Sequence, residues 1–264
     1  MSETIKIFSS NILEDGTVTV TGDPDTGYPE ARLWDWSPNL YWKITDPSPE
    51  DYSFEVNFQG DQFGFSDDFG FNDEFGFTGD SAPAIDLLYV AGHNFSGCTC
   101  SWQYSGDGTN WTTAETWSQT ANNPIVKTLA SALQHNIWRL YVEGIANPMC
   151  GEIIMCEGVS FSVQANPNPE HGYRSNIARG LSVGGQEGPV KLLDYRTLCR
   201  YVMRLADSDL DVFKDIISDD TDAFSRPFLV KDNEDEYRMM RFASIPGLSD
   251  LDAFTEIDLR LISV

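Results

Sequence analysis

The first 165 residues are divided into short apolar or alternating stretches by glycine, proline and aspartate, and helical periodicity is scarce there. Thr17–Val20 is a β-branched run that leads into a loop at residues 22–27, and residues 52–58 alternate between apolar and polar side chains. Residues 85–90 and 137–142 are short apolar runs. Such runs, bounded by turn residues, are typical of strands. The spacing predicts a β-sandwich or a jelly roll, which we place over residues 1–163.

The composition changes after this region. Residues 164–176 are polar and rich in proline, so we predict a linker there. The predicted second domain, residues 177–264, begins with a long strand or hairpin within residues 190–205. Apolar residues at helical spacing follow, and then three more strands; the helical residues are Leu210, Phe213, Ile216 and Ile217, and the strands are 227–230, 237–243 and 257–264. The order β–α–β–β–β predicts a smaller α+β domain in a chain that is mainly β.

Charge and cysteine usage limit the partners of this chain. The formal net charge is −24, which repels phosphate backbones and argues against sequence-specific nucleic-acid binding. No apolar run reaches the roughly 18 residues of a membrane span, and the start of the chain has no secretory pattern. The five cysteines are an odd number. We therefore expect reduced thiols and a protein made in a cytosol.

Three tandem copies of a Phe-Gly-Phe hexapeptide occupy residues 63–80, as an insertion in the predicted jelly roll. Because the period is even, an extended backbone would place every phenylalanine on one face. Three interpretations remain: a surface insertion, a docking arm that packs on a neighbouring subunit, and a calcium site formed by the aspartates. The docking residues would be Phe63, Phe65, Phe69, Phe71, Phe75 and Phe77.

Two motifs imitate functional sites. Residues 180–184 match G-x-S-x-G, but a nucleophile elbow needs a strand before Ser182 and a helix after it, and all three histidines precede this serine. Asp207, Asp209 and Asp211 lack the glycine and glutamate that complete an EF-hand loop. We therefore expect no catalytic, cofactor-binding or metal-binding residues and no enzymatic activity.

Tryptophans are the strongest ligand signal in the sequence. Aromatic rings can stack on sugars, and the candidates are Trp34, Trp36, Trp102 and Trp111. Core packing is the competing interpretation of the same residues. Glycan binding predicts that at least two of these tryptophans are exposed together.

Four stretches, in order, resemble the discoidin-like jelly roll at the N-terminus of phage minor tail proteins. They are residues 26–33, 85–95, 102–111 and 138–142, and they include the sequences GYPEARL, GHNF and WQYSGDGTNW. The resemblance implies that Trp42 is the first core tryptophan. The C-terminal part is similar in element order to the β–α–β unit of tail tube and tail tip proteins.

The resemblance implies a structural component of a tailed-phage virion, in the tail, tail tip or neck, assembled in the host cytoplasm. Residues 177–264 would form a homo-oligomeric ring and contact other virion proteins, while the jelly roll is displayed outward. Ring assembly predicts an apolar edge strand at residues 257–262. The alternative is a carbohydrate-binding module that attaches to a host surface glycan. No membrane partner is expected.

Overall fold

The structure of the chain is a computed structural model. It describes residues 5–37, 39–58, 82–161, 170–174, 180–181, 187–188, 196–220, 226–231, 236–251 and 254–264. The chain divides into two compact units, one of residues 10–158 and one of residues 1–9 with 159–264. We call the first the sandwich unit and the second the C-terminal unit. The Phe-Gly-Phe repeat and its six candidate docking residues lie outside the described residues.

The sandwich unit contains the strands after β1 (Lys6–Phe8), which belongs to the C-terminal unit. Its elements are β2 (Thr17–Val20), a 3₁₀ helix (Glu30–Leu33), β3 (Trp42–Lys43), β4 (Glu50–Asn57), β5 (Ala84–Ala91), β6 (Thr99–Ser105), β7 (Thr112–Ser118), β8 (Ile125–Gln134), β9 (Ile137–Ile145), β10 (Met149–Cys150) and β11 (Glu152–Cys156). The strands predicted at residues 17–20, 85–90 and 137–142 are therefore confirmed.

Two antiparallel sheets form the sandwich. One has the order β2-β4-β9-β6-β7 and the other has the order β11-β5-β8, so the chain passes repeatedly from one sheet to the other. Both sheets contribute to a single hydrophobic core, in which Trp102 and Trp138 of the larger sheet join Leu88 and Ile153 of the smaller one. Trp42 is fully buried in the same core. This arrangement is a jelly-roll β-sandwich, as the alternation predicts.

The C-terminal unit is a mixed α+β unit around one larger antiparallel sheet. Its other elements are β12 (Val159–Ser160), β13 (Glu170–Arg174), β14 (Gly180–Leu181), β15 (Glu187–Gly188), β16 (Arg196–Leu205), α1 (Asp207–Asp215), a π-helical turn (Ile216–Asp220), β17 (Phe228–Lys231), β18 (Tyr237–Phe242), β19 (Gly247–Leu251) and β20 (Phe254–Ser263). The sheet order is β12-β1-β17-β18-β20-β16-β13, and β19 also pairs with β20. Phe213 and Ile216 pack into the core of this unit.

The unit boundaries differ from the predicted domains. β1 pairs with β12 and β17, and its Ile7 is fully buried, so β1 belongs to the C-terminal sheet instead of the jelly roll. Part of the predicted linker is also ordered, because Glu170–Arg174 forms β13 and pairs with β16. The rest of that linker prediction falls on residues that the structure does not describe. The polar, proline-rich composition of this segment did not predict the strand, because the strand forms by pairing with residues that are distant in the sequence.

The prediction of an edge strand at residues 257–262 is wrong. β20 pairs with β16 on one side and with β18 and β19 on the other, so it is a central strand. Its Ile257, Leu259 and Leu261 are fully buried in the core of the C-terminal unit. The apolar side chains of this strand are therefore buried by other residues of the same chain.

In the described part of the chain, no helix has the length and apolar character needed to cross a membrane. All five cysteines are free thiols.

Candidate functional site

The four candidate tryptophans occupy different environments. Trp102 is fully buried between the sheets, and Trp36 is 4% exposed, with its indole N–H donating to Glu14 Oε1 at 2.7 Å. Neither ring can stack on a sugar, which corrects the prediction for these two residues. Trp34 is half-buried against the core, and Trp111 is half-buried on the β6–β7 connection. Burial of Trp102 follows from its position on an inward-facing register of β6.

A loop between β2 and β3 is fixed to the sandwich by Asp25. The carboxylate of Asp25 accepts hydrogen bonds from the backbone N–H of Thr45 at 3.0 Å and from its hydroxyl at 2.5 Å. These hydrogen bonds lower the pKa of Asp25. The backbone N–H of Tyr28 donates to the carbonyl of Asp25 at 2.9 Å, so the same residue positions Tyr28. Gly27, at a φ of +88°, permits the sharp turn between them.

Tyr28 and Tyr41 form an aromatic stack at this end of the sandwich. Their ring centroids lie 5.2 Å apart with an interplanar angle of 24°. Interaction with the neighbouring Tyr28 hydroxyl raises the pKa of Tyr41. The guanidinium of Arg32 and the ammonium of Lys43 each lie 5.6 Å from the centroid of the Tyr28 ring. We call these four residues the loop cluster; both tyrosines are half-buried, so part of each ring remains accessible.

Basic residues in the sandwich unit all contact aromatic rings. Between residues 10 and 158, the lysines and arginines are Arg32, Lys43, Lys127 and Arg139. The ammonium of Lys127 lies 4.6 Å from the centroid of the Trp117 ring and also pairs with Glu115 at 2.6 Å. Because acidic residues greatly outnumber these cations, a polyanionic ligand would be repelled at long range.

A second aromatic cluster lies on β9 and the neighbouring strands of the larger sheet. The guanidinium carbon of Arg139 lies 3.7 Å from the centroid of the Trp111 ring and 5.0 Å from that of Tyr141. Its Nε–H donates to Gln103 Oε1 at 2.7 Å. Arg139 also stands opposite Glu55 of β4 in the strand register. We call these five residues the outer-face cluster.

Glu152 is a carboxylate buried in the sandwich unit. It is 0% exposed, and neither carboxylate oxygen has a hydrogen-bond partner among the described residues. Burial, with the nearby charges of Asp35 and Glu14, raises the pKa of Glu152 well above its usual range. Within the described residues, no group of three metal-ligating side chains is present. Glu152 and Asp35 are the side chains there that could contribute oxygen ligands to a cation.

The residues after β5 brace the loops, as their position at a strand end suggests. The backbone N–H of Phe95 donates to His93 Nδ1 at 3.2 Å, and His93 Nε2 lies 2.8 Å from the carbonyl oxygen of Asn123. Asn94 Nδ2 donates to the carbonyl of Asn147 at 2.9 Å, and Asn94 Oδ1 accepts from the backbone N–H of Met149. His93 and Asn94 therefore brace the turns that follow β5.

Sequence reasoning missed the loop cluster. Tyr28 lies in the GYP stretch that carries part of the family resemblance, but nothing local links it to Tyr41, Arg32 and Lys43 as a group. The tryptophan pattern also gives no indication of Tyr141 and Arg139, whose partners come from other strands.

No protein-family model matches the chain, and no curated protein matches its sequence. Among solved structures, the chain is similar to chitosan-binding module 1 derived from chitosanase/glucanase from Paenibacillus sp. IK-5, with 17% identity and a TM-score of 0.40 over 56% of this chain and 99% of that one. Chitosan-binding module 2 of that enzyme, in complex with chitotriose, matches with 15% identity and a TM-score of 0.41 over 56% and 100%.

A third similar structure is CpGH89CBM32-5 from Clostridium perfringens, in complex with GalNAc-β-1,3-galactose. It has 16% identity and a TM-score of 0.40, covering 56% of this chain and 100% of that one. The order and register of the strands, rather than these distant likenesses, define the fold of the sandwich unit.

Proposed function

We propose that the sandwich unit is a non-catalytic carbohydrate-binding module whose ligand contacts the loop cluster. The observation that carries the proposal is the partly accessible stack of Tyr28 and Tyr41, held on loops that hydrogen bonds fix to the sandwich. Tyrosine offers an apolar ring face and a hydroxyl, which match the C–H face and the hydroxyls of a sugar. Arg32 and Lys43, whose cationic groups lie over the Tyr28 ring, add hydrogen-bond donors beside this stack.

The test is a glycan array followed by calorimetric titration of the strongest ligand. Tyr28→Ala is expected to weaken binding at least about tenfold, or about 1.4 kcal/mol, because a stacking ring is lost. Tyr28→Phe keeps the ring and should retain more of the affinity.

The matched control is His135→Ala, which removes one ring of another stacked pair in the sandwich unit, Tyr104 and His135, 3.8 Å apart. This variant should bind as the wild type does. Equal affinity of Tyr28→Ala and wild type, or no ligand on the array, would reject the proposal.

We also propose, from the resemblance to phage minor tail proteins, that this module acts on a virion during host attachment. The C-terminal unit would then form the homo-oligomer and contact other virion proteins. Light scattering on the purified chain and imaging of native particles test this: a ring-sized mass, or density in a tail, is expected. Deleting residues 63–80 should weaken that association while the jelly roll stays folded. A monomer absent from particles would reject the virion role.

A further inference from the structure

Arg139 occupies the middle of the outer surface of the larger sheet. Its neighbours in sequence, Trp138 and Leu140, are fully buried, so Arg139 points to the side of the sheet away from the core. In the strand register it stands between Glu55 of β4 and Gln103 of β6. A cation, a carboxylate and an amide thus lie side by side across three neighbouring strands.

The guanidinium of Arg139 is held in one orientation. Trp111 lies at 3.7 Å and Tyr141 at 5.0 Å, measured from the guanidinium carbon to each ring centroid, and the Nε–H donates to Gln103 Oε1 at 2.7 Å. Tyr141 is itself fixed, because its hydroxyl donates to Asp51 Oδ2 at 2.7 Å. Side chains that are already immobile lose little conformational entropy when a ligand binds.

Two polar groups of this cluster have unused hydrogen-bonding capacity. Within the described residues, neither the terminal Nη groups of Arg139 nor the carboxylate of Glu55 makes a hydrogen bond in the structure. Both side chains are half-buried, and burial raises the pKa of Glu55 while the charge of Arg139 lowers it. Half-buried groups with hydrogen-bonding positions that the protein leaves unused gain from a ligand that hydrogen-bonds to them.

We infer that the outer-face cluster is a second sugar subsite, separate from the loop cluster, that binds one hexopyranoside residue. The apolar C–H face of the sugar would stack on the accessible part of Trp111. Two neighbouring hydroxyls would donate to the Glu55 carboxylate and accept from the Arg139 Nη groups. The inference rests on the proposed function in treating the sandwich unit as a sugar-binding module.

Charge selects a neutral sugar over an anionic ligand at this subsite. Glu55 stands directly opposite Arg139, so a ligand carboxylate placed on the guanidinium would lie close to a second negative charge. The net charge of the whole chain, −24, opposes the approach of an anion as well. Sugar hydroxyls both donate and accept, so they satisfy the cation and the carboxylate together.

The experiment is an NMR titration of the isotope-labelled full chain with methyl β-galactopyranoside and, separately, methyl β-glucopyranoside. The readouts are the indole N–H of Trp111, assigned through Trp111→Leu, and the Nε–H of Arg139. Saturable shifts of both resonances are expected. The expected Kd is on the order of 1 mM, which corresponds to a binding free energy of about −4 kcal/mol. Glycerol, a diol without an apolar ring face, should not shift them.

Three variants test the geometry. Trp111→Leu and Glu55→Gln should each weaken the binding at this cluster at least about tenfold. Arg139→Lys keeps the positive charge but loses the planar guanidinium with its two Nη groups, so this variant should weaken binding as well. Trp117→Leu is the matched control, because Trp117 is also half-buried under a cation, Lys127 at 4.6 Å, but lies outside the cluster. This control should bind the glycosides as the wild type does.

The outcomes separate the two sites. Glycoside-induced shifts of the Arg139 Nε–H that disappear in Tyr28→Ala but persist in Trp111→Leu would overturn the second subsite and leave the proposed function standing. Shifts of the same Nε–H that persist in Tyr28→Ala and disappear in Trp111→Leu and Glu55→Gln support the subsite. An absence of saturable shifts at the Trp111 indole with both glycosides overturns it, whatever the loop cluster binds.

Discussion

Glu152 is an acidic residue of the sandwich unit whose charge conflicts with its buried environment. Its carboxylate is 0% exposed, without a hydrogen-bond partner among the described residues, and close to the acidic Asp35 and Glu14. The nearby backbone N–H groups of Ser37 and Trp36 make no hydrogen bond of good geometry to the carboxylate, and they lower its pKa by less than burial raises it. A buried carboxylate in these conditions is neutralised by a proton or by a cation.

The first prediction concerns Glu152→Gln. In the unfolded chain the pKa of Glu152 is near 4.5, and in the folded chain it is raised. As the pH rises above that value, the unfolded state releases the proton first, so the folded state loses stability. The variant removes this loss and should be more stable than the wild type by about 1–3 kcal/mol near pH 7, with a smaller difference near pH 4.

Thermal denaturation in the presence of a chelator, near pH 7 and near pH 4, measures the difference in stability between the variant and the wild type. A variant less stable than the wild type near pH 7 would contradict the prediction. Repeating the measurement with Ca²⁺ separates the two means of neutralisation. Stabilisation of the wild type but not of the variant would show a cation on Glu152, because Ca²⁺ prefers carboxylate oxygens.

At the scale of elements, a histidine joins two loops of the sandwich. His93 Nδ1 accepts the backbone N–H of Phe95 within its own loop, and Nε2 donates to the carbonyl of Asn123 in the β7–β8 connection. These two bonds require the neutral imidazole, since a protonated ring has no acceptor. Burial lowers the pKa of His93 in the folded state.

The second prediction concerns acidification of these loops. Because the folded pKa of His93 lies below its unfolded value of about 6.5, the unfolded state binds more protons at acid pH. Stability should therefore fall as the pH drops below about 6.5. His93→Gln should lose part of this dependence, so its change in melting temperature between about pH 8 and about pH 5 should be smaller than that of the wild type. An equal change in both proteins would contradict the prediction.

The turn between β6 and β7 can be predicted from a short stretch of sequence, but the contacts of the residues beside it cannot. Asp107 accepts from the backbone N–H groups of Thr109 and Asn110 at 2.9 and 2.8 Å, and these hydrogen bonds lower its pKa. Gly108 adopts a φ of +73°, which a side chain would disfavour. The Asp-Gly pair alone predicts this turn. It does not predict that the next tryptophan, Trp111, will lie over Arg139, which comes from another strand.

At the scale of the whole molecule, the N-terminal residues are shared between the two units. Ile7 of β1 is fully buried in the core of the C-terminal unit, whereas Ile12, five residues later and 5% exposed, belongs to the core of the sandwich unit. Neighbouring positions in the sequence therefore stabilise different cores.

The third prediction uses this pair. Ile7→Ala should destabilise the C-terminal unit by about 2–5 kcal/mol, because the side chain leaves a cavity in its core. Ile12→Ala is the matched substitution and should destabilise the sandwich unit instead. Hydrogen exchange, followed by mass spectrometry of peptides from each unit, should locate the loss of protection in a different unit for each variant. Equal loss in both units for either variant would show a single cooperative unit and contradict the prediction.

The local structure of this protein follows from short stretches of its amino-acid sequence. Strands with period-two alternation, the Asp107-Gly108 turn and the mainly β class follow from side-chain sterics and from the burial of alternate residues, which act within a few positions of the chain. The loop-bracing role of His93 could be predicted for the same reason, since a strand end needs local hydrogen-bond partners.

Which residues are buried or exposed, and which distant residues meet, depends on the tertiary fold and cannot be predicted from short stretches of sequence. The fold placed Trp102 in the core and left Trp111 at the surface, and it made β20 a central strand although its apolar pattern suits an edge as well. Tyr28 meets Tyr41, and Arg139 meets Trp111, through strand registers and loop paths. Register is set by the packing of whole sheets, so no short stretch of sequence contains it.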